Sequence, residues 1–128
     1  MAGDPSQIHQ DIAQEFLRYF YSKIQTTREE LINLYTDNAM LSYEGQAFTG
    51  KQSILDKLKS LPKYSLNVSS CDCQFIESDA TRLLILVTGT ITLEQGQPMQ
   101  FCHNFHLRQF NQSTWLITNE LFRFSFLG

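Results

Sequence analysis

Apolar residues recur every four positions near the N-terminus: Ile8, Ile12, Phe16 and Phe20, with Ala13 and Ile24 beside them. That spacing keeps one stripe of a helix apolar and predicts an amphipathic helix to about Lys23. Asp4-Pro5-Ser6-Gln7 starts it: Asp4 caps, Pro5 suits the first helical position, and Gln7 reaches back. Thr27-Arg28-Glu29-Glu30 reads as a second capping box. It opens a short helix with Leu31, Leu34 and Tyr35 inward, closed by Thr36-Asp37-Asn38. Ala39 to Tyr43 reads as a short strand. Thr49 and Gln52 form a third capping box before a helix that buries Ile54, Leu55, Leu58 and Leu61 and stops at Pro62.

From Ser65 onward the apolar period is two, the signature of strands. Leu66 and Val68 alternate with polar residues, and Arg82 to Leu93 is a long, mostly apolar strand. Glu94-Gln95-Gly96-Gln97-Pro98 is a turn. In Met99 to Phe110, Met99, Phe101, His103, Phe105 and Leu107 share one face. Asn111 to Thr114 turns again. The last strand, Trp115 to Phe126, puts Leu116, Thr118, Glu120, Phe122, Phe124 and Phe126 on one side. Helices first and antiparallel strands after predict an α+β domain with helices on one face of a sheet. The last strands are apolar on both faces, which predicts a homodimer through the second face.

Length changes this picture little: 128 residues make one domain, spanning 1–128. Ten Phe and five Tyr predict an aromatic-rich core. A net charge of -3 lacks the basic footprint of a nucleic-acid binder. Cys71, Cys73 and Cys102 are read as free thiols in a reducing compartment. The first ten residues lack the features of a secretory signal, and no apolar run is long enough to span a membrane. The cytosol is expected, with entry to the nucleus open by size.

Candidate chemistry is sparse. His103-x-x-His106 has metal-ligand spacing, but strand residues three apart point to opposite faces, so no metal site is expected. Cys71-x-Cys73 has no second cysteine pair to complete a zinc site. No nucleophile elbow or phosphate-binding glycine loop is present. Glu44, Glu94 and Glu120 lie on or beside strands, where an apolar pocket could raise a carboxyl pKa for acid–base work. Spacing assigns no second group to any of them. Tyr43-Glu44 sets an aromatic and an acid together at a strand end, a pairing suited to a pocket mouth.

Two strings, LSYEGQAFTGKQSILDKLKSLP (41–62) and TNELFRF (118–124), carry a resemblance. With Phe16 to Tyr21, Thr88-Gly89 and Phe101 to Leu107, they make nearly the whole chain similar to the nuclear transport factor 2 family. The wider superfamily, with its ketosteroid isomerases and dehydratases, shares the shape without these strings. The resemblance implies a cone: a bent antiparallel sheet over about three helices, enclosing a pocket. It implies a homodimeric carrier without enzyme activity or cofactor, which imports GDP-bound Ran through nuclear pores and passes between cytoplasm and nucleus. Partners are Ran-GDP and the phenylalanine-glycine repeats of nucleoporins.

Carried onto this chain, the Ran site comprises Tyr43 and Glu44 at the rim, Leu61, Leu66, Met99, Leu121 and Phe122 lining the pocket, and Glu94 in the strand-connecting loop. A further acid of that loop falls on Gly96. The repeat site falls on Pro5, His9, Ile12 and Phe16, with His9 where the family carries a larger aromatic. Two other functions fit the fold. One is the small partner subunit of a messenger-RNA export receptor. The other is a pocket isomerase or dehydratase, which needs a buried acid–base pair that spacing does not supply.

Overall fold

A computed structural model describes residues 5–94 and 96–125, with side chains from residue 7. Asp4, Gln95 and Phe126, and the side chain of Pro5, lie outside the described residues. Helix α1 spans Pro5–Thr26, a 3-10 helix spans Arg28–Leu34, and α2 spans Lys51–Ser60. The strands are β1 (Tyr35–Tyr43), β2 (Gln46–Thr49), β3 (Tyr64–Ile76), β4 (Asp79–Leu93), β5 (Met99–Asn111) and β6 (Thr114–Ser125). They form one sheet in the order β2-β1-β6-β5-β4-β3.

The α+β expectation holds, with one difference in the sheet. β1 runs parallel to β6, so the sheet is mixed rather than wholly antiparallel. Helix α1 lies on the concave face through Ala13, Phe16, Leu17, Phe20, Tyr21 and Ile24, all buried. These recur at three- and four-residue steps, the stripe that a core-facing helix presents. Opposite them stand Leu83, Ile85 and Val87 of β4 and Phe101, Phe105 and Leu107 of β5. Among the described residues no helix is long and apolar enough to cross a membrane.

Three local expectations are corrected. Thr36, Asp37 and Asn38 do not close a helix; they belong to β1. The preceding helix is a 3-10 turn ending at Leu34, and buried Tyr35 already pairs with Ile117 of β6. The capping box at Thr49 does not form. The cap falls on Gly50 at φ 92°, which shifts Gln52 out of the reciprocal position, and its amide bonds Asp56 instead. Thr27 likewise makes no side-chain cap bond. The inward face of β6 is the third: Ile117 is buried rather than Leu116.

That last difference has a clear cause. The β5–β6 register shifts between His106 and Leu107, where Thr118 is the extra residue of a bulge. One extra residue moves every following side chain to the other face. A second bulge lies in β3 between Val68 and Ser70, so the inward row passes from Leu66 to Cys71, Cys73 and Phe75, while Val68 is exposed. At this bulge Gly89 meets the β3 backbone. A Cβ there would lie 2.0 Å from the Asn67 carbonyl oxygen, a clash no side chain tolerates.

Candidate functional site

The sheet and helices enclose a small cavity lined by Phe20, Tyr21, Ile24, Tyr43, Leu58, Leu61, Tyr64, Leu66, His103, Glu120 and Phe122. Its volume is about 10 Å³, room for about one water. The floor is polar although it is sealed. Glu120 and His103 are both buried. The Tyr35 hydroxyl donates to Glu120 Oε1 at 2.5 Å, and His103 Nε2 lies 2.6 Å from Glu120 Oε2. His103 Nδ1 lies 2.9 Å from the Tyr21 hydroxyl. With Glu120 as a carboxylate, Nε2–H of a neutral imidazole donates to it and Nδ1 accepts from Tyr21. The polar atoms that join Tyr35, Glu120, His103 and Tyr21 are then satisfied by one another. Burial and the Glu120 charge hold the Tyr21 and Tyr35 phenols well above the usual value.

An acid–base pair inside the cone is therefore present, contrary to the expectation from spacing. The two residues come from adjacent strands, with Phe105 opposite Glu120 and His103 opposite Phe122. Phe20 and Phe105 pack edge-on or tilted against the imidazole, closing it off from solvent.

The mouth is aromatic. Tyr43 stacks on Phe122, rings parallel to within 5° with centroids 4.9 Å apart. Lys57 Nζ sits 5.1 Å above the Tyr43 ring in cation–π geometry. The Tyr43 phenol is pushed up to about 12, first by burial and then by the Glu44 charge. Tyr64 is raised too, mainly by burial.

Arg28 fixes the opposite lip. Its guanidinium donates to the carbonyls of Leu58, Leu61 and Pro62 and its Nε to that of Ile24. This ties the end of α1 to the end of α2 and so sets where Leu61 stands.

Glu44 occupies an unusual backbone position. Glu44 and Gly45 have φ of 50° and 85°, and Tyr43 pairs with Gln46. That is a two-residue hairpin with both central residues left-handed, where Asn or Asp before Gly is preferred. A non-glycine residue there costs about 1 kcal/mol or more. Two bonds offset it: the Glu44 amide donates to the Phe122 carbonyl at 3.0 Å, and the Phe124 amide donates to Glu44 Oε1. Oε2 accepts no hydrogen bond among the described residues.

Of the expected Ran-site residues, the structure gathers Tyr43, Leu61, Leu66 and Phe122 around one cavity, and Glu44 follows Tyr43 in the hairpin turn without lining it. Leu121 does not join them: it is 53% exposed on the other face of β6, as a neighbour of buried Phe122 must be. Met99 is half-buried on the concave row of β5 but outside the cavity wall. Glu94 is exposed; its amide donates to the Lys63 carbonyl, fastening the β4–β5 loop beside the start of β3.

The repeat-site residues split. The His9 ring sits edge-on to Phe75 of β3 with centroids 3.9 Å apart, and its Nε2 is buried with no hydrogen bond among the described residues. Ile12 and Phe16 line a separate groove with Trp115 and Leu34. The residues that spacing left unassigned, His103, Tyr21, Tyr35 and Arg28, come from four different elements. Parity alone placed His103 and Glu120 on inward rows, and that was the only signal for the pair.

Comparison with known proteins agrees with this architecture. Arabidopsis thaliana nuclear transport factor 2B is 34% identical over 125 residues, covering 94% of this chain and 98% of the relative. Among solved structures, nuclear transport factor 2 from Cryptosporidium parvum superposes with a TM-score of 0.85 at 28% identity, covering 97% of this chain and all of the other. The yeast UBP3-associated protein BRE5 follows at 0.78 and 29%, covering 91% and 95%. The nuclear transport factor 2 (NTF2) domain matches residues 12–124. With that span matched and the same cone built around it, the chain belongs to the nuclear transport factor 2 family.

Proposed function

We propose that this chain is a nuclear import carrier for Ran in its GDP form, shuttling between cytoplasm and nucleus through the pore. The observation that carries the reading is the Tyr43-Glu44 hairpin. It holds an acid in a left-handed conformation at the lip of an aromatic cavity, with one carboxylate oxygen left for a partner. An aromatic side chain of the Ran switch region enters between Tyr43, Leu61, Leu66 and Phe122. Full burial of such a side chain is worth ~1.5–3 kcal/mol. Because the cavity holds about one water, these residues must part to admit it. Affinity is therefore coupled to rearrangement of the mouth.

Glu44 and the exposed Glu94 meet basic side chains of Ran and add specificity and association rate. With Gly96 in the loop, Glu94 acts there without a second acid from that position. Met99 supports the β5 side of the mouth. Nucleotide exchange withdraws the switch aromatic and releases Ran, so the carrier performs no chemistry.

Phenylalanine-glycine repeats of nucleoporins bind along α1, with Ile12 and Phe16 as the apolar contacts and His9 and Pro5 flanking them. Homodimerisation uses the convex sheet face, where Leu84 and Leu121 are exposed. A sedimentation run giving a clean monomer at micromolar concentration removes that assignment.

Capture of purified Ran tests the central claim. The GDP-loaded form is retained and the GTP-loaded form is not. Glu44→Lys abolishes capture, while Glu44→Gln, which still accepts from Phe124, weakens it. Equal capture of both forms, or of neither, rejects the carrier reading.

One observation favours a second reading, an acid–base enzyme: the buried His103–Glu120 pair. Against it stand a cavity too small for a substrate and a network whose donors and acceptors already satisfy one another.

A further inference from the structure

A groove of about 500 Å³ runs between α1, the end of the 3-10 helix and the start of β6. It shares no lining residue with the cavity. Its size is that of a pocket for a ligand or for a peptide side chain and its neighbours. The apolar lining is Ile12, Phe16, Tyr19, Leu34 and Trp115. Tyr19 is 44% exposed, a large aromatic surface left facing solvent.

The groove's charge has one sign. Asp11 and Glu15 line it, and no Lys, Arg or His does. They are four residues apart on α1, so they sit one above the other on the same side and repel. Glu15 is paired with Arg18 at 3.1 Å, but both side chains are largely exposed, and such a pair exchanges readily for another cation. Among the described residues Asp11 accepts from one side chain, the neutral amide of Gln7. Lys23 stands over the far edge of Tyr19 but is held by Glu30.

We propose that this groove docks a short basic segment of a partner protein, inserting one aromatic or branched apolar side chain with lysine or arginine beside it. The apolar side chain enters between Ile12, Leu34 and Trp115. The flanking cation lies between Asp11 and Glu15 and relieves their repulsion. The inference does not rest on Ran binding, because the two sites are separate. It shares Ile12 and Phe16 with the repeat site proposed above and sharpens that reading by requiring positive charge beside the inserted side chain.

The chain contains a single tryptophan, Trp115, so its intrinsic emission reports occupancy of this groove directly. Three peptides are titrated against the whole protein. Each has one phenylalanine, flanked by lysines, by glutamates, or by glycine and serine. The lysine peptide shifts Trp115 emission and binds about five-fold tighter than the neutral one, as two exposed ion pairs of ~0.5 kcal/mol each imply. The preference shrinks as salt rises. In the Asp11→Lys, Glu15→Lys double variant the glutamate peptide binds best, while GDP-Ran capture is unchanged.

Equal binding of neutral and basic peptides, with no effect of the charge reversal, overturns the proposal and leaves an uncharged repeat site. No response of Trp115 to any peptide overturns it as well. Loss of GDP-Ran capture in the double variant would count against the separateness of the two sites.

Discussion

Glu120 is the residue on which the interior depends. It accepts from Tyr35 and bonds His103 in a buried site, so removing its oxygens takes the partner from two buried polar groups. Each stranded group costs about 1–3 kcal/mol. Glu120→Leu should therefore lower unfolding free energy by about 3 kcal/mol. Glu120→Gln should cost about 1–3 kcal/mol. Its carbonyl accepts from Tyr35 and its amide donates to His103 Nε2 once the imidazole proton moves to Nδ1, but the Tyr21 hydroxyl then becomes an acceptor and its own proton is left without one. Urea denaturation of both variants checks this; a Leu variant as stable as the parent would show that the network contributes nothing to the fold.

This pair also marks a limit of reading residues one at a time. His103 and Glu120 each fall at inward positions by strand parity. Their meeting depends on register across a hairpin with two irregularities, one between Gln109 and Asn111 and one between His106 and Leu107. The first adds a residue to β5 and the second to β6, so the offsets cancel. The register at the turn, Asn111 opposite Thr114, thus extends correctly to Phe105 opposite Glu120. Leu121 is the converse case. Motif likeness placed it beside Phe122 in the pocket, although adjacent strand residues face opposite ways.

At the scale of elements, helices were legible and their ends were not. The apolar stripes of α1 and α2 follow from spacing, because burial of one face dominates helix stability in a domain. The capping boxes at Thr27 and Thr49 are absent because tertiary bonds decide where each helix begins. Gly50 donates to the Ala39 carbonyl and fixes the start of α2 against β1.

Arg28 is the sharper case: a residue read as part of a capping box instead bonds carbonyls at the ends of both helices. Hydrogen bonds from a charged donor are worth ~1.5–3 kcal/mol each at best. Arg28→Met, which keeps the stem, should destabilise by about 2 kcal/mol or more. Arg28→Lys should fall between, since an ammonium lacks the fork that reaches several carbonyls. Urea midpoints decide it, and three indistinguishable midpoints would deny the clamp any structural role.

At the scale of the whole molecule, the buried phenols set an alkaline limit. Tyr21, Tyr35 and Tyr64 are held above the ordinary value chiefly by burial, and Tyr43 is pushed to about 12. In the unfolded chain these groups ionise near ~10. Above that pH the unfolded state has released protons that the native state keeps, so stability falls as pH rises. Stability from these groups is intact below about pH 10, and the Tyr43 share is lost through about 12. Urea midpoints measured up the alkaline range should decline from about pH 10; a flat profile would mean that the phenols are not sealed as described.

The sequence by itself determined the helices and most strands, the α+β class and the family, because hydrophobic period and local strings are properties of neighbouring residues. It also placed Tyr43, Glu44, Leu61, Leu66 and Phe122 in one expected site. The tertiary structure decided what that site contains: a cavity nearly closed, an acid–imidazole pair beneath it, a strained hairpin at its lip, and a separate acidic groove beyond α1. The reason is physical. Bulges reset which face a side chain takes, and the hydrogen bonds of Arg28, His103 and Glu120, apart from the one Arg28 makes to Ile24, join residues 17 to 85 positions apart. No local pattern records those separations.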